Sequence, residues 1–209
     1  NYPEILIMEY GADKPGDIKY LMGIAQPQIA VITAVGDVPA HVEFYSGPEA
    51  VAKEKSSLIE NLPSHGFVIL NADDEFVLTM QDRTRAHVIT FGFNQEAEVR
   101  ITNFEARDNG RPSGISFKID YGGSFVPFRL DRCFGKPPAY ATAAAAGVGI
   151  VFGMQLVRIA EALLYYQPPP HRLNLISGIK DTIIIDDSYN ASPLSMTAAI
   201  ETVKSLKAS

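Results

Sequence analysis

Apolar residues occur along this chain in short unbroken runs separated by stretches with helical spacing. Such runs stand at 5–8 (Ile-Leu-Ile-Met), 29–32 (Ile-Ala-Val-Ile), 67–70 (Phe-Val-Ile-Leu) and 87–90 (His-Val-Ile-Thr), and the intervening patterns predict helices over about 16–25, 48–62 and 75–81. Strands that are continuous rather than alternating are buried on both faces, so this part reads as a parallel array of βαβ units. From 98 to 130 the period becomes two, as in Ile115-Ser116-Phe117-Lys118-Ile119, with breaks at Asn109-Gly110 and Gly122-Gly123. That pattern predicts antiparallel hairpins attached to the sheet. Helices over 139–154 and 156–166 precede Pro168-Pro169-Pro170, which cannot continue a helix. Ile183-Ile184-Ile185 reads as a further buried strand, and Ser192-Pro193 as the start of a helix to about 206 with Met196, Ile200 and Val203 on one face. The expected fold class is α/β, a mostly parallel sheet flanked by helices with an antiparallel β-hairpin subregion. Residues 1–186 are expected to form one domain and 187–209 to begin another, with the connection near 189–193.

Composition narrows the partners. The 209 residues carry 18 Lys and Arg against 24 Asp and Glu, a formal charge of −6 without a basic run, which disfavours a nucleic-acid backbone as partner. A single cysteine, Cys133, cannot form an internal disulfide and fits a reducing compartment. The most apolar stretch, about 139–156, is rich in Ala and Gly and follows Pro137-Pro138, so it reads as a buried helix rather than a membrane span. The chain opens at Asn1 with no leader pattern, and both ends read as cuts through a longer protein.

Ligands of open parallel sheets gather beyond the carboxyl ends of the strands. Glu9 follows the first apolar run; Thr33 follows the second, with His41 nearby; Asn71-Ala72-Asp73-Asp74 follows the third, and Asp186-Asp187 follows 183–185. Strand ends are also polar simply because they meet water, but a carboxylate and an imidazole such as Glu9 and His41 suit a divalent cation like Mg²⁺. Lys55 falls within the apolar stripe of its helix, beside Val51, Leu58, Ile59 and Leu62. Burial favours the neutral amine, which can act as a nucleophile or add carbon dioxide to form a carbamate. The alternative is an ammonium that reaches past the edge of the stripe into water. Arg172 offers a guanidinium fork suited to phosphate, and His171 beside it is either structural or functional. His65, His87 and Cys133 lack partners in sequence and read as structural.

The run Ile185-Asp186-Asp187-Ser188-Tyr189-Asn190-Ala191-Ser192-Pro193 closely resembles the segment joining the central and C-terminal domains of Mur ligases, in the form carried by the branch that adds D-alanyl-D-alanine. Further matches fall in the same order: Glu9-Tyr10-Gly11, Pro39-Ala40-His41-Val42-Glu43, Ala52-Lys53-Glu54-Lys55, Asn71-Ala72-Asp73-Asp74 and Arg172-Leu173. The resemblance implies a cytoplasmic, ATP-dependent ligase whose central domain is of the P-loop type, with ATP and Mg²⁺ as cofactors and a UDP-linked muramoyl peptide and D-Ala-D-Ala as substrates. It also implies roles for individual residues. Glu9 and His41 are Mg²⁺ ligands, Lys55 is a carbamate that helps hold the ion, and Arg172, Asp187, Tyr189, Asn190 and Thr33 line the nucleotide site.

Three departures stand against that pattern. The family's Gly-x-x-Gly-Lys-Ser/Thr phosphate loop is absent from the 209 residues and is expected before Asn1. Pro137, Pro138 and Ala141 replace polar residues near adenine, Ala34 replaces an Asn, and Asp37-Val38 reads as an insertion. The alternatives are therefore a degenerate, non-catalytic nucleotide-binding or scaffolding protein on the same fold, and another Mur-fold ligase such as a folylpolyglutamate synthase.

Overall fold

The computed structural model describes residues 3–37, 44–180 and 182–206. A six-stranded sheet runs in the order β1 (Ile29–Ile32), β2 (Phe67–Asn71), β3 (His87–Gly92), β4 (Val99–Asp108), β5 (Pro112–Tyr121) and β6 (Ser124–Asp131). β1 to β4 are parallel, and β4 to β6 are antiparallel. The expected fold class is the observed one. β4 starts level with the last two residues of β3, pairing Phe91 with Val99 and Gly92 with Arg100, and continues in the same direction. The hairpins therefore stand beyond the carboxyl edge of the parallel strands.

Both faces of β2 are covered, as its unbroken apolar run requires, whereas the edge strand β1 leaves Val31 exposed. Within β2, Val68 and Leu70 pack with Val51 and Ile59 of α2 (Pro48–Glu60), whereas Ile69 faces α4 (Pro137–Val151) among Phe91, Ile101, Ala143 and Ala146. The Ala and Gly content of α4 lets its backbone lie close to the sheet. A Cβ at Gly147 would stand 3.1 Å from Ile69 Cγ2. α5 (Leu156–Leu163) follows, with Leu156 and Ile159 buried against the same cluster. No helix among the described residues is long and apolar enough to cross a membrane.

Four local expectations are corrected. Residues 5–8 form no strand: Ile7 is 90% exposed, and among the described residues no strand pairs with them, without which an apolar run has no reason to be extended. Glu9 consequently does not stand at a strand end; it lies exposed ahead of α1 (Asp17–Ile24). Residues 183–185 do form a strand, β8 (Ile183–Asp186), but it pairs antiparallel with β7 (Asn174–Ser177) in a separate two-stranded sheet and stays largely exposed. The helix expected over 75–81 is a single turn, α3 (Glu75–Leu78), followed by a 3₁₀ turn at Thr79–Arg83. Ser56 of α2 is 1% exposed and donates to Lys53 O and Glu60 Oε1.

α6 (Pro193–Ser205) begins where Ser192-Pro193 predicts, closed by a reciprocal cap in which Ser195 N donates to Ser192 Oγ and Ser192 N donates to Ser195 Oγ. Its Thr202 is buried, at 2% exposure, beside Gly135, and Leu194 lies near Gly36. The helix thus crosses the carboxyl edge of the sheet. Replacing Gly147 by Val should cost about 1–3 kcal/mol through overpacking against Ile69, although Val is a better helix former than Gly. Urea unfolding of the two proteins checks this, and an unchanged midpoint would show that α4 does not approach β2 so closely.

Candidate active site at the carboxyl edge of the sheet

The segment after β2 holds this edge together. Asn71 Nδ2 donates to Thr33 O at 2.8 Å, drawing the end of β1 toward β2, and Asn71 Oδ1 accepts from Asp73 N at 2.9 Å. Asp74 Oδ2 accepts from Val35 N (2.7 Å) and Gly36 N (2.9 Å), while its Oδ1 caps α3 by accepting from Val77 N at 3.1 Å. Asp73 turns the other way. Its carboxylate accepts from Phe93 N and Asn94 N, each at 2.6 Å, and from the Tyr140 hydroxyl at 2.7 Å. One short segment therefore ties down the ends of β1 and β3 and the first turn of α4.

Lys55 reaches this edge from α2. It is half-buried, and Nζ donates to Ala34 O at 3.3 Å. Desolvation lowers its pKa from the ordinary lysine value, and the nearby Asp74 charge opposes that shift in part. The amine so favoured is the form required for addition to carbon dioxide.

A second group gathers between β7 and α6. The Arg172 guanidinium lies 4.1 Å from the centre of the Tyr189 ring, a cation–π contact. Asp187 Oδ1 accepts from Leu173 N at 3.1 Å, and Tyr189 N donates to His171 O at 3.2 Å. His171 and Leu173 on either side of Arg172 both have left-handed backbones, with φ of 61° and 51°. Non-glycine residues hold that conformation only where their surroundings enforce it. Asp186 supplies part of that enforcement, binding Ser188 Oγ at 2.6 Å and His171 Nδ1 at 2.8 Å; these bonds, Ser188 first, hold its carboxyl below the usual range.

Among the residues expected from sequence, Lys55 bonds Ala34 O just beyond β1, and the neighbouring Thr33 is exposed, its carbonyl accepting from Asn71 Nδ2. Arg172, Asp187 and Tyr189 come together at the β7 side, and Asn190 sits beside them, its Oδ1 accepting from Ala191 N. His41 lies outside the described residues. Among the described residues no three of His, Cys, Asp and Glu gather into a metal site. His87 is exposed and tilts against Phe67, and Cys133 is buried with its thiol pushed up to about 11 by desolvation, which leaves it unreactive at neutral pH. Tyr140 and the pairings Asp73–Tyr140 and His171–Asp186 were not expected from sequence, although Asp73, Asp186 and His171 stood out singly. Their roles depend on partners far along the chain, so no local spacing signals them.

Fold and edge define an α/β domain of the class that collects its ligand at the carboxyl ends of parallel strands. Residues 1–148 match the Mur ligase middle domain, and the chain belongs to the Mur ligase family. It is similar to the UDP-N-acetylmuramoyl-tripeptide–D-alanyl-D-alanine ligase of Mycobacterium leprae, 31% identical over 207 residues, which is 95% of this chain and 40% of that protein. The ligase of the same description from Bacillus subtilis is 28% identical over 204 residues, covering 98% and 42%. A crystal structure of MurF from Acinetobacter baumannii superposes with a TM-score of 0.83 at 26% identity, over 94% of this chain and 42% of that one. The fold is also that of the MurF ligase from Thermotoga maritima in complex with ADP, with a TM-score of 0.81 at 24% identity and coverage of 93% and 43%. The chain spans about two fifths of the length of these relatives.

Lys55 should titrate below the ordinary lysine value of 10.5, and Asp74→Asn should lower it further by removing a charge that favours the ammonium. NMR titration of the ζ position in the 209-residue chain reads both values. A midpoint at or above 10.5, or an upward shift in Asp74→Asn, would contradict the placement of Lys55.

Proposed function

We propose that this chain is the nucleotide-binding middle part of an ATP-dependent ligase that joins D-Ala-D-Ala to a UDP-linked muramoyl peptide. The observation that carries the reading is the convergence of Arg172, Asp187 and Tyr189, contributed from both sides of the β7–β8 hairpin, within a chain similar to such ligases over nearly its whole length. In the proposed reaction the γ-phosphoryl group of ATP passes to the peptide carboxylate, giving an acyl phosphate and ADP. The amine of D-Ala-D-Ala then attacks the acyl carbon and displaces inorganic phosphate, leaving the amide. Arg172 suits a phosphate because its planar fork is already oriented by the Tyr189 ring. Asp187 has a second carboxylate oxygen to accept from a ribose hydroxyl, with Tyr189, Asn190 and Thr33 as the neighbouring wall.

Mg²⁺ belongs to the same proposal, with Glu9, His41 and a Lys55 carbamate as its ligands. No step is derived through it. The division into a central unit, residues 1–186, and the start of a further domain, 187–209, is likewise proposed. It is supported by the reciprocal cap that starts α6. A binding protein without catalysis is the second reading, favoured by Pro137 and Pro138 at the start of α4 and Ala141 within its first turns.

The reading is tested in the full-length protein with ATP, D-Ala-D-Ala and UDP-muramoyl tripeptide, following phosphate release and the mass of the product. Amide product is expected. Nucleotide binding without product from any muramoyl peptide would favour the second reading. Lys55→Ala should lower kcat by about a hundredfold while changing KM much less, and formate or acetate should restore part of the activity by replacing the lost anion. Full activity in Lys55→Ala would remove the carbamate from the account.

A further inference from the structure

Tyr140 is placed by more than its own helix. Its hydroxyl donates to Asp73 Oδ2 at 2.7 Å, and its ring meets Phe93 edge-on, with centroids 5.1 Å apart and planes at 74°. Phe93 packs in the same manner on Phe104, at 5.8 Å and 78°, and carries Lys136 Nζ 5.5 Å from its ring centre. Asp73 also receives the two backbone N–H groups of Phe93 and Asn94, so one carboxylate fixes the loop after β3 and the first turn of α4 against each other. The approach depends on Gly92. A Cβ there would stand 2.7 Å from Asp73 Oδ2, and the backbone φ is 148°. The other side chains of that turn, Pro137, Pro138 and Ala141, offer no hydrogen bond to a ligand.

From these contacts, and resting on the nucleotide-binding reading above, we infer that Asp73 and Tyr140 are positioning residues for the nucleotide. The pair locks the loop after β3 and the start of α4 into one rigid seat, so that a base lies on an apolar and aromatic surface held at fixed geometry. Tyr140 acts here through its link to Asp73, to which its one proton is donated. A prearranged seat avoids an ordering cost when ligand arrives, so loosening it weakens binding without altering the chemical step.

The test uses the full-length protein, with ADP affinity measured by calorimetry, kcat and KM for ATP measured in the ligation assay, and Tm recorded for each variant. Tyr140→Phe removes a single hydroxyl and is expected to weaken ADP and raise the KM for ATP about five- to tenfold, with kcat within twofold of wild type. Asp73→Asn should do the same, and the double variant should be no worse than either single one, since both break one linkage. Unchanged ADP affinity in Tyr140→Phe overturns the inference, as does a fall in Tm with no change in ADP affinity, which marks the pair as structural only. Wild-type protein that binds ADP but makes no amide removes the ligase reading and leaves this inference to be decided by the ADP affinities. Wild-type protein that binds no nucleotide overturns both.

Discussion

Buried or half-buried backbone N–H groups at the ends of parallel strands have no partner within the sheet, and something must accept from them. In this protein the side chains of Asn71, Asp73 and Asp74 do so, and the rest of the edge depends on that constraint. Asp74 receives the amides after β1, Asp73 receives those after β3, and Asn71 donates to the first carbonyl beyond β1, that of Thr33. Loops are ordinarily the least fixed part of a domain. Here two of them are fastened to a third that directly continues the most buried strand, β2, in which Val68, Ile69 and Leu70 are all fully covered.

The energetics of such an arrangement favour precision over bulk stability. Hydrogen bonds to a charged carboxylate contribute about 1.5–3 kcal/mol each when they replace water, and much less when partly exposed. Asp73 is exposed, so its contribution lies chiefly in geometry: it places Phe93 and Tyr140 at one distance and angle. The half-buried Lys55 illustrates the converse. Desolvation disfavours its ammonium, and the same Asp74 that fastens the β1 loop moderates that penalty. The structural carboxylate and the half-buried amine therefore share one local field.

The strands at 67–70 and 87–90 were legible because burial on two faces leaves an unbroken apolar signature, and 29–32 carries the same run although Val31 is exposed at the sheet edge. The hairpins were legible because burial on one face leaves alternation. Residues 5–8 have the same apolar density, yet a strand exists only where a neighbouring edge accepts it, and composition cannot report a neighbour. β7 was missed because Asn174-Leu175-Ile176-Ser177 is short and lies just after the proline run; it is a strand only through pairing with Ile183–Asp186. The site divides in the same way. Lys55 and Arg172 are chemically conspicuous in sequence, whereas Asp73 becomes informative only when Phe93, Asn94 and Tyr140 are brought to it from 20, 21 and 67 residues away.

The claim that this one segment fastens separate loops is tested most directly by amide hydrogen exchange, resolved residue by residue, on the 209-residue chain. In Asp73→Ala, the amides of Phe93 and Asn94 should lose protection while those of Val35 and Gly36 keep it, and Asp74→Ala should produce the reverse. Protection factors that stay unchanged in both variants, or that collapse together at all four amides in either one, would contradict the account.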